Sequence, residues 1–204
     1  MTRKDQKKRG EVVRQTILAT ALQIGLKEGF EALSVRKISK AMGYSTGVVY
    51  HHFRDKQEII DAIEASQTEN MRQRIASLLD SSKSIVENMA AAFHEVMLLA
   101  LHEPEKYNLI VLHKYSRKTI SRPQWIPYLS RELKKGMETG LIRPMDPDKM
   151  AFTIWSSFLG FNLTISRQTN LTLAQAEKFY QTQLDIILKG ALNHEDSCNL
   201  RYDD

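Results

Sequence analysis

The chain has 204 residues, of which 42% are hydrophobic and 26% are charged. This is the composition of an ordinary globular protein, and the length suffices for one large domain or two modest ones. The single cysteine, Cys198, excludes an internal disulfide framework and any multi-cysteine metal site, which favours a reducing compartment. No apolar run reaches the roughly 18 residues of a membrane helix, and the polar N-terminus lacks the apolar segment of a signal peptide. We therefore expect a cytoplasmic protein that does not bind membranes.

The net charge of +5 is concentrated in the first third of the chain. Residues 1–60 contain 12 Lys and Arg against 6 Asp and Glu, whereas the remainder contains 17 against 18. A dense array of negative charge, such as duplex DNA, would be attracted to the basic end. From charge alone, a solvated basic surface explains the same distribution equally well.

Hydrophobic periodicity is helical nearly throughout, and glycine and proline are scarce. Residues 1–10 have no apolar face and are predicted to form a flexible basic arm. Residues 195–204 contain four acidic groups and are predicted to form a flexible acidic tail. The pattern between them predicts an all-α fold of about nine helices, at about 11–28, 35–42, 46–52, 56–79, 83–102, 105–117, 124–139, 147–167 and 172–192.

The second and third predicted helices form a tight pair. Ser34 and Ser45 are placed as their N-caps, and Gly43 lies at the turn between them. Val49 and Phe53, at i and i+4, are expected to face a core shared with the preceding helix. Such a unit is a helix-turn-helix, whose second helix can lie in the major groove of DNA. A purely structural three-helix cluster accounts for the pattern about as well.

The outer face of the third helix carries residue types that suit contact with DNA. Thr46 can bond a base edge or a phosphate, and Gly47 and Val48 allow close approach to thymine methyls. Tyr50 can place its ring against sugars or methyls and its hydroxyl against a phosphate. His51 lies on the same face.

Residues 46–56 read Thr-Gly-Val-Val-Tyr-His-His-Phe-Arg-Asp-Lys. This segment closely resembles the DNA-binding domain of the TetR family. The resemblance extends to Gly29-Phe30, to the stretch from Leu33 to Ile38 and to the stretch from Ala41 to Gly43. The resemblance spans about residues 11–62, and its Tyr-x-His-Phe-x-x-Lys core is specific. Two positions depart from the family pattern: Ser39 replaces the usual alanine, and Tyr44 replaces a smaller aliphatic residue.

The resemblance implies a role for each matched residue. Arg36 matches a position that reaches a guanine edge or a phosphate. The residues at the start of the third helix match positions that face the bases. The residues at the end of that helix, together with Lys56, match positions that hold the DNA backbone. A phosphate beside Lys56 would also meet the N-terminal amides of the fourth helix. The predicted DNA-binding residues are Arg36, Ser45, Thr46, Gly47, Val48, Tyr50, His51, His52 and Lys56.

The resemblance also implies a domain organisation. A DNA-binding domain at 11–62, with its motif at about 34–53, follows the arm, and an effector-binding and dimerisation domain covers 63–194. The last two helices carry wide apolar faces, and in the family such helices pair with their symmetry mates as a four-helix bundle. We therefore expect a homodimer. Burial of both faces within one chain is the alternative.

Aromatic and methionine residues in the second half are candidates for an effector pocket, because small-molecule sites are mostly apolar with a few polar anchors. Simple core packing explains the same stripes. The candidate residues are Phe93, Met97, Tyr107, Tyr115, Trp125, Tyr128, Trp155, Phe158 and Asn162.

The sequence contains no Gly-rich phosphate loop, nucleophile elbow or recognisable catalytic pairing. His94, His102 and His113 lack the spacing of a metal site. We therefore expect no enzymatic activity, no metal and no cofactor. The prediction is a sequence-specific DNA-binding transcriptional regulator, a repressor released from a palindromic operator by a small-molecule effector. The alternative is an architectural or division-linked DNA-binding protein of the same fold without an effector.

Overall fold

A computed structural model describes residues 3–113 and 125–191. Nine α-helices account for most of these residues, and the described part of the chain contains no β-strand element, which confirms the all-α prediction. The helices are α1 (Arg3–Glu28), α2 (Val35–Met42), α3 (Thr46–His52), α4 (Lys56–Leu78), α5 (Ile85–His102), α6 (Pro104–Tyr107), α7 (Trp125–Glu138), α8 (Pro147–Ser166) and α9 (Leu173–Ala191). A 3₁₀ turn at Phe30–Ala32 follows α1, and a π-helical turn at Asn108–Leu112 continues α6.

The chain divides into two compact units. Among the described residues, the first unit comprises 3–76 and 102–113, and the second comprises 77–101 and 125–191. The predicted boundary between residues 62 and 63 separates a DNA-binding domain from an effector-binding and dimerisation domain. It concerns function and remains a prediction. None of the described helices is long and apolar enough to cross a membrane.

The core of the first unit is built by α1 to α4 together with one residue from the π-helical turn. Ile17 and Ala21 supply the buried stripe of α1, and Leu109 joins the same core from far along the chain. These contacts remove apolar surface from water, which is the main favourable term in folding. The buried members are Ile17, Ala21, Leu33, Val35, Ile38, Val49, Phe53, Ile59, Ile60, Ile63 and Leu109.

Gly25 lets the end of α1 accept a close neighbour. A Cβ atom at this position would lie 2.4 Å from Cε1 of Phe30, well inside van der Waals contact. Gly29 then leaves the helix at a φ of 83°, a conformation that side chains with a Cβ rarely adopt. The chain therefore folds back so that Phe30 packs on the last turns of α1.

Two predicted elements differ from the structure. Residues 3–10 are helical, as the first two turns of α1, and do not form a flexible arm. They lack an apolar face, so amphipathic periodicity could not detect them. The helix predicted at about 105–117 is a single α-turn followed by π-helical backbone up to Leu112. The predicted acidic tail and the end of that helix lie outside the described residues.

The second unit contains α7, α8 and α9 and most of α5. Asp146 caps α8 by accepting hydrogen bonds from the N–H groups of Asp148 and Lys149 at 2.9 and 3.1 Å, and Pro147 occupies the first helical position. Tyr180 of α9 is buried and donates its hydroxyl proton to the carbonyl of Ala90. Burial raises the pKa of this phenol well above its ordinary value.

We predict that Gly25→Ala destabilises the protein although alanine is the better helix former. The clash with Phe30 costs about 1–3 kcal/mol, which exceeds the roughly 1 kcal/mol gained in helix propensity. Urea unfolding of the purified variant measures the difference. Gly10→Ala, in the same helix with its nearest outside atom at 3.8 Å, is the matched control and is expected to be neutral or stabilising.

The same change in a Phe30→Ala background identifies the cause. With the ring removed, Gly25→Ala should be neutral or stabilising. An unchanged penalty in that background would show that the ring is not responsible.

Candidate nucleic-acid interface

The turn between α2 and α3 is fixed by caps at both of its ends. Ser34 Oγ accepts a hydrogen bond from the N–H of Lys37 at 3.2 Å and starts α2. Gly43 ends that helix at a φ of 70°, and the N–H of Tyr44 donates to the carbonyl of Ser39 at 2.9 Å. This left-handed cap reverses the chain within three residues and so positions α3.

The two departures from the family pattern are accommodated without strain. Ser39 is buried, but its hydroxyl donates to the carbonyl of Arg36 at 3.1 Å, so that the polar group has a partner. Tyr44 lies half-exposed at the turn. Neither residue disturbs the cap that sets the angle between α2 and α3.

Two buried side chains determine which face of α3 meets solvent. Val49 is fully buried and Phe53, at the C-cap, is 2% exposed. Between them Tyr50 is 56% exposed, and Gly47 and His51 are exposed as well. The polar and small residues of this seven-residue helix are therefore presented outward, as the sequence predicted.

The start of α4 carries a reciprocal capping arrangement. Asp55 Oδ1 accepts from the N–H of Glu58 at 2.9 Å, and Glu58 Oε2 accepts from the N–H of Arg54 at 2.7 Å. The pKa of Asp55 is held below its ordinary value, mainly by the hydrogen bond from the backbone N–H of Glu58 and next by the hydrogen bond from the Arg54 guanidinium. Lys56 Nζ donates to the carbonyl of Glu31 at 3.3 Å, which keeps two further N–H donors for another acceptor.

The structure brings the predicted DNA-binding residues onto one region of the first unit. Arg36 is exposed in the first turn of α2, and Ser45 precedes α3 without making a side-chain capping bond. Its backbone carbonyl accepts from the N–H of Val48 at 3.1 Å. His51 and His52 lie at the end of α3 with their ring centres 5.2 Å apart.

The sequence does not indicate two places where α1 approaches the C-terminal end of α3. The guanidinium carbon of Arg14 lies 4.9 Å from the centre of the Phe53 ring. A Cβ atom at Gly10 would lie 3.8 Å from Cε1 of His52. The spacing of residues 10, 14 and 17 places them on one helical stripe, but residues 2–11 contain no large apolar side chain that would reveal it.

The predicted effector residues are not all brought together. Phe93 and Phe158 stack with their ring centres 3.9 Å apart, and Trp125 and Trp155 stack at 6.5 Å in the same unit. Met97 and Asn162 are also buried there. Tyr107, by contrast, is buried in the first unit, Tyr128 is exposed beside Arg131, and Tyr115 lies outside the described residues.

Two of the histidines considered as metal ligands have carboxylate partners. His94 Nε2 lies 2.7 Å from Glu177 Oε1, and His113 Nδ1 lies 2.9 Å from Glu64 Oε2. In residues 3–113 and 125–191, no group of three or more His, Cys, Asp or Glu side chains is arranged to hold a metal ion.

Residues 17–63 match the family model described as bacterial regulatory proteins, tetR family. The transcriptional repressor AcnR of Corynebacterium glutamicum is 28% identical over 142 residues, which cover 67% of this chain and 68% of AcnR. The ketosteroid transcriptional regulator KstR2 of Mycobacterium tuberculosis superposes with a TM-score of 0.64 at 22% identity, over 89% of this chain and 95% of KstR2.

A structure of AibR in complex with isovaleryl coenzyme A and operator DNA gives a TM-score of 0.66 at 23% identity, over 85% of this chain and 97% of AibR. At such identities the two structural comparisons establish a shared fold.

The lowered pKa of Asp55 predicts a specific pH dependence. A carboxylate whose pKa is depressed by folding stabilises the folded state above its unfolded pKa, and this stabilisation is lost as pH falls through the folded pKa. Asp55→Asn keeps an acceptor for the cap but has no charge. Wild type should therefore be more stable than Asp55→Asn at about pH 7, and the gap should be smaller near pH 3. Urea unfolding at both pH values measures it, and a gap independent of pH would contradict the assignment.

Proposed function

This chain belongs to the tetR family of bacterial regulatory proteins, and from that premise we propose that it is a homodimeric repressor released from a palindromic operator by a small-molecule effector. The recognition helix is α3, and the operator contacts come from the predicted DNA-binding residues on α2, α3 and the start of α4. AcnR is a transcriptional repressor, which favours regulation over an architectural role. Bound at a promoter, such a dimer blocks transcription sterically.

The observation that carries the proposal is the division of α3 into two faces. Val49 and Phe53 anchor the helix in the core, so Tyr50 and Gly47 are held outward by packing rather than by chance rotation. A preorganised face lowers the entropic cost of binding. The basic balance of residues 1–60 adds the electrostatic attraction that supplies much of the affinity of proteins for DNA.

Dimerisation is supported by an apolar groove along α8 and α9. The groove has a volume of about 630 Å³, and its lining includes Phe161, Leu171, Phe179, Gln183 and Ile186. Phe179 is 56% exposed and Ile186 is 68% exposed. Large apolar side chains exposed together in one groove are typical of an interaction site. Two copies related by a twofold axis would cover both grooves. Binding to a palindromic operator in turn requires two recognition helices about one DNA turn apart.

Gln183 adds a polar observation to this groove. Its Nε2 donates to the carbonyl and hydroxyl of Ser157 at 3.0 and 3.2 Å. Its Oε1, although buried, has no hydrogen-bond partner among the described residues. A partner subunit can supply the missing donor, because a buried acceptor left unpaired costs free energy.

The effector proposal rests on the aromatic cluster of the second unit. Trp155, Phe158 and Asn162 lie on one stripe of α8, and Phe158 stacks on Phe93. Asn162 is 2% exposed, and its Oδ1 has no partner within the part of the chain described. This carbonyl is the polar anchor we assign to the effector. An effector lowers operator affinity only through its differential affinity for two conformations.

Selection of genomic fragments by the purified protein tests the DNA-binding proposal. We expect a short palindromic consensus beside a few promoters, with affinity reduced on the order of tenfold or more in Tyr50→Ala. Tyr50→Phe retains the ring and should lose less. Many dispersed sites would instead favour the architectural alternative, and enrichment unaffected by Tyr50→Ala would show that α3 is not the recognition helix.

A pair of lysine variants provides the control for electrostatics. Lys56→Ala should weaken binding to all sequences and lower the slope of log affinity against log salt by about 0.9 for each phosphate that the lysine neutralises. Lys134→Ala removes the same charge from an exposed position in the second unit and should leave the slope unchanged.

A charge introduced into the groove tests the dimer. Ile186→Glu should weaken association at least about tenfold, because each dimer would desolvate two carboxylates. Val12, which is 60% exposed on α1, offers the matched control Val12→Glu, expected to remain dimeric. Sedimentation velocity over a concentration series distinguishes the two. An Ile186→Glu protein that sediments as wild type would refute an interface through this groove.

A further inference from the structure

The first two turns of α1 carry a basic surface that the helix-turn-helix does not account for. Residues 1–10 include five basic residues and one acidic residue, and they precede the segment that matches the family model. Lys7 and Lys8 are both exposed. Because α1 is continuous from Arg3 to Glu28, these charges are held on a helix and need little ordering before they bind a partner.

The approach of α1 to the C-terminal end of α3 shows which side of this part of α1 faces that end. Gly10 approaches His52, and the Arg14 guanidinium lies over Phe53, so the side of α1 that bears residues 10 and 14 faces the C-terminal end of the recognition helix. At 3.6 residues per turn, Lys7 lies about 20° around the helix from Arg14 and about 4.5 Å along the axis from Gly10. Lys7 therefore extends this side by one turn.

The neighbouring lysine points elsewhere. Lys8 is rotated about 120° from Arg14 and shares a surface with Glu11, Val12 and Gln15. The two lysines have the same charge, exposure and position along the chain, but only Lys7 is on the side next to α3.

We propose that Lys7 is a further DNA-contact point, which binds a backbone phosphate of the duplex outside the base pairs read by α3. This inference rests on the proposed function, since α3 must first lie in the major groove. The partner is duplex DNA through its phosphates, which succeed one another every 3.4 Å of axis on each strand, roughly the rise of one base pair. An ammonium group one turn beyond the end of the recognition helix is placed to reach them as a point charge.

The test compares Lys7→Ala with Lys8→Ala in the full chain. Binding to a selected operator duplex and to a random-sequence duplex is measured across a salt series. Lys7→Ala should weaken both by about three- to tenfold at low salt and lower the salt slope by about 0.9 for each phosphate bound by Lys7, or about 1.8 for a dimer. Lys8→Ala should retain the wild-type slope. Both substitutions favour helix, so circular dichroism should show intact folding.

Shortening the operator duplex locates the contact. Removing the flanking base pairs outside the palindrome should weaken binding by wild type and Lys8→Ala. Binding by Lys7→Ala should weaken no further, because this variant has no ammonium group to reach the flanking phosphate. Equal slopes and equal flank dependence for all three proteins would overturn the inference.

The random-sequence duplex keeps the two proposals separable. If Tyr50→Ala leaves operator binding unchanged while Lys7→Ala still lowers the slope on random duplex, the assignment of α3 fails, and with it the placement of the contact outside the base pairs read by α3; only phosphate binding by Lys7 stands. If Tyr50→Ala abolishes operator preference and Lys7→Ala has no effect on either duplex, only the Lys7 inference fails. Absence of salt-dependent binding to either duplex would overturn both.

Discussion

Burial of Val49 and Phe53 is the constraint on which the interface depends. A helix of seven residues is too short to be stable alone, so its orientation must come from tertiary contacts. Two apolar side chains one turn apart fix its rotation about its own axis, and the core they enter is completed by Ile17, Ala21 and Ile38. Because these two side chains are anchored in the core, the exposed residues of α3 are held toward solvent. The left-handed turn between α2 and α3 determines where α3 begins.

The elements that sequence reasoning located well are those with local stop and start signals. Ser34 and Gly43 act through hydrogen bonds to backbone groups three or four residues away, so their effect is visible in a short window. The bounds of α2 and α3 followed from them. The exposed face of α3 followed from the i, i+4 spacing of its two anchors.

What escaped prediction depends on contacts distant in sequence or on helices without an apolar face. The first turns of α1 are helical as a continuation of a longer helix, which periodicity cannot detect in a polar segment. The backbone after Tyr107 forms a π-helical turn, which has about one more residue per turn than an α-helix. A search for the 3.6-residue period of an α-helix cannot detect such a turn. Tyr107, one of the predicted effector residues, is buried in the first unit, and aromatic character alone does not indicate to which unit a residue belongs.

Because its core includes Leu109, the DNA-binding half of the chain does not form a self-contained N-terminal segment. Leu109 lies in the core formed with Ile17, Val49 and Phe53, although it is encoded more than thirty residues beyond the end of the first unit's main segment at Ala76. A fragment that stops there would leave an apolar gap where Leu109 belongs. Recombination that exchanges N-terminal halves between relatives therefore also has to match this distant residue. Diversification of binding specificity is simpler by substitution on the outer face of α3, which leaves the shared core intact.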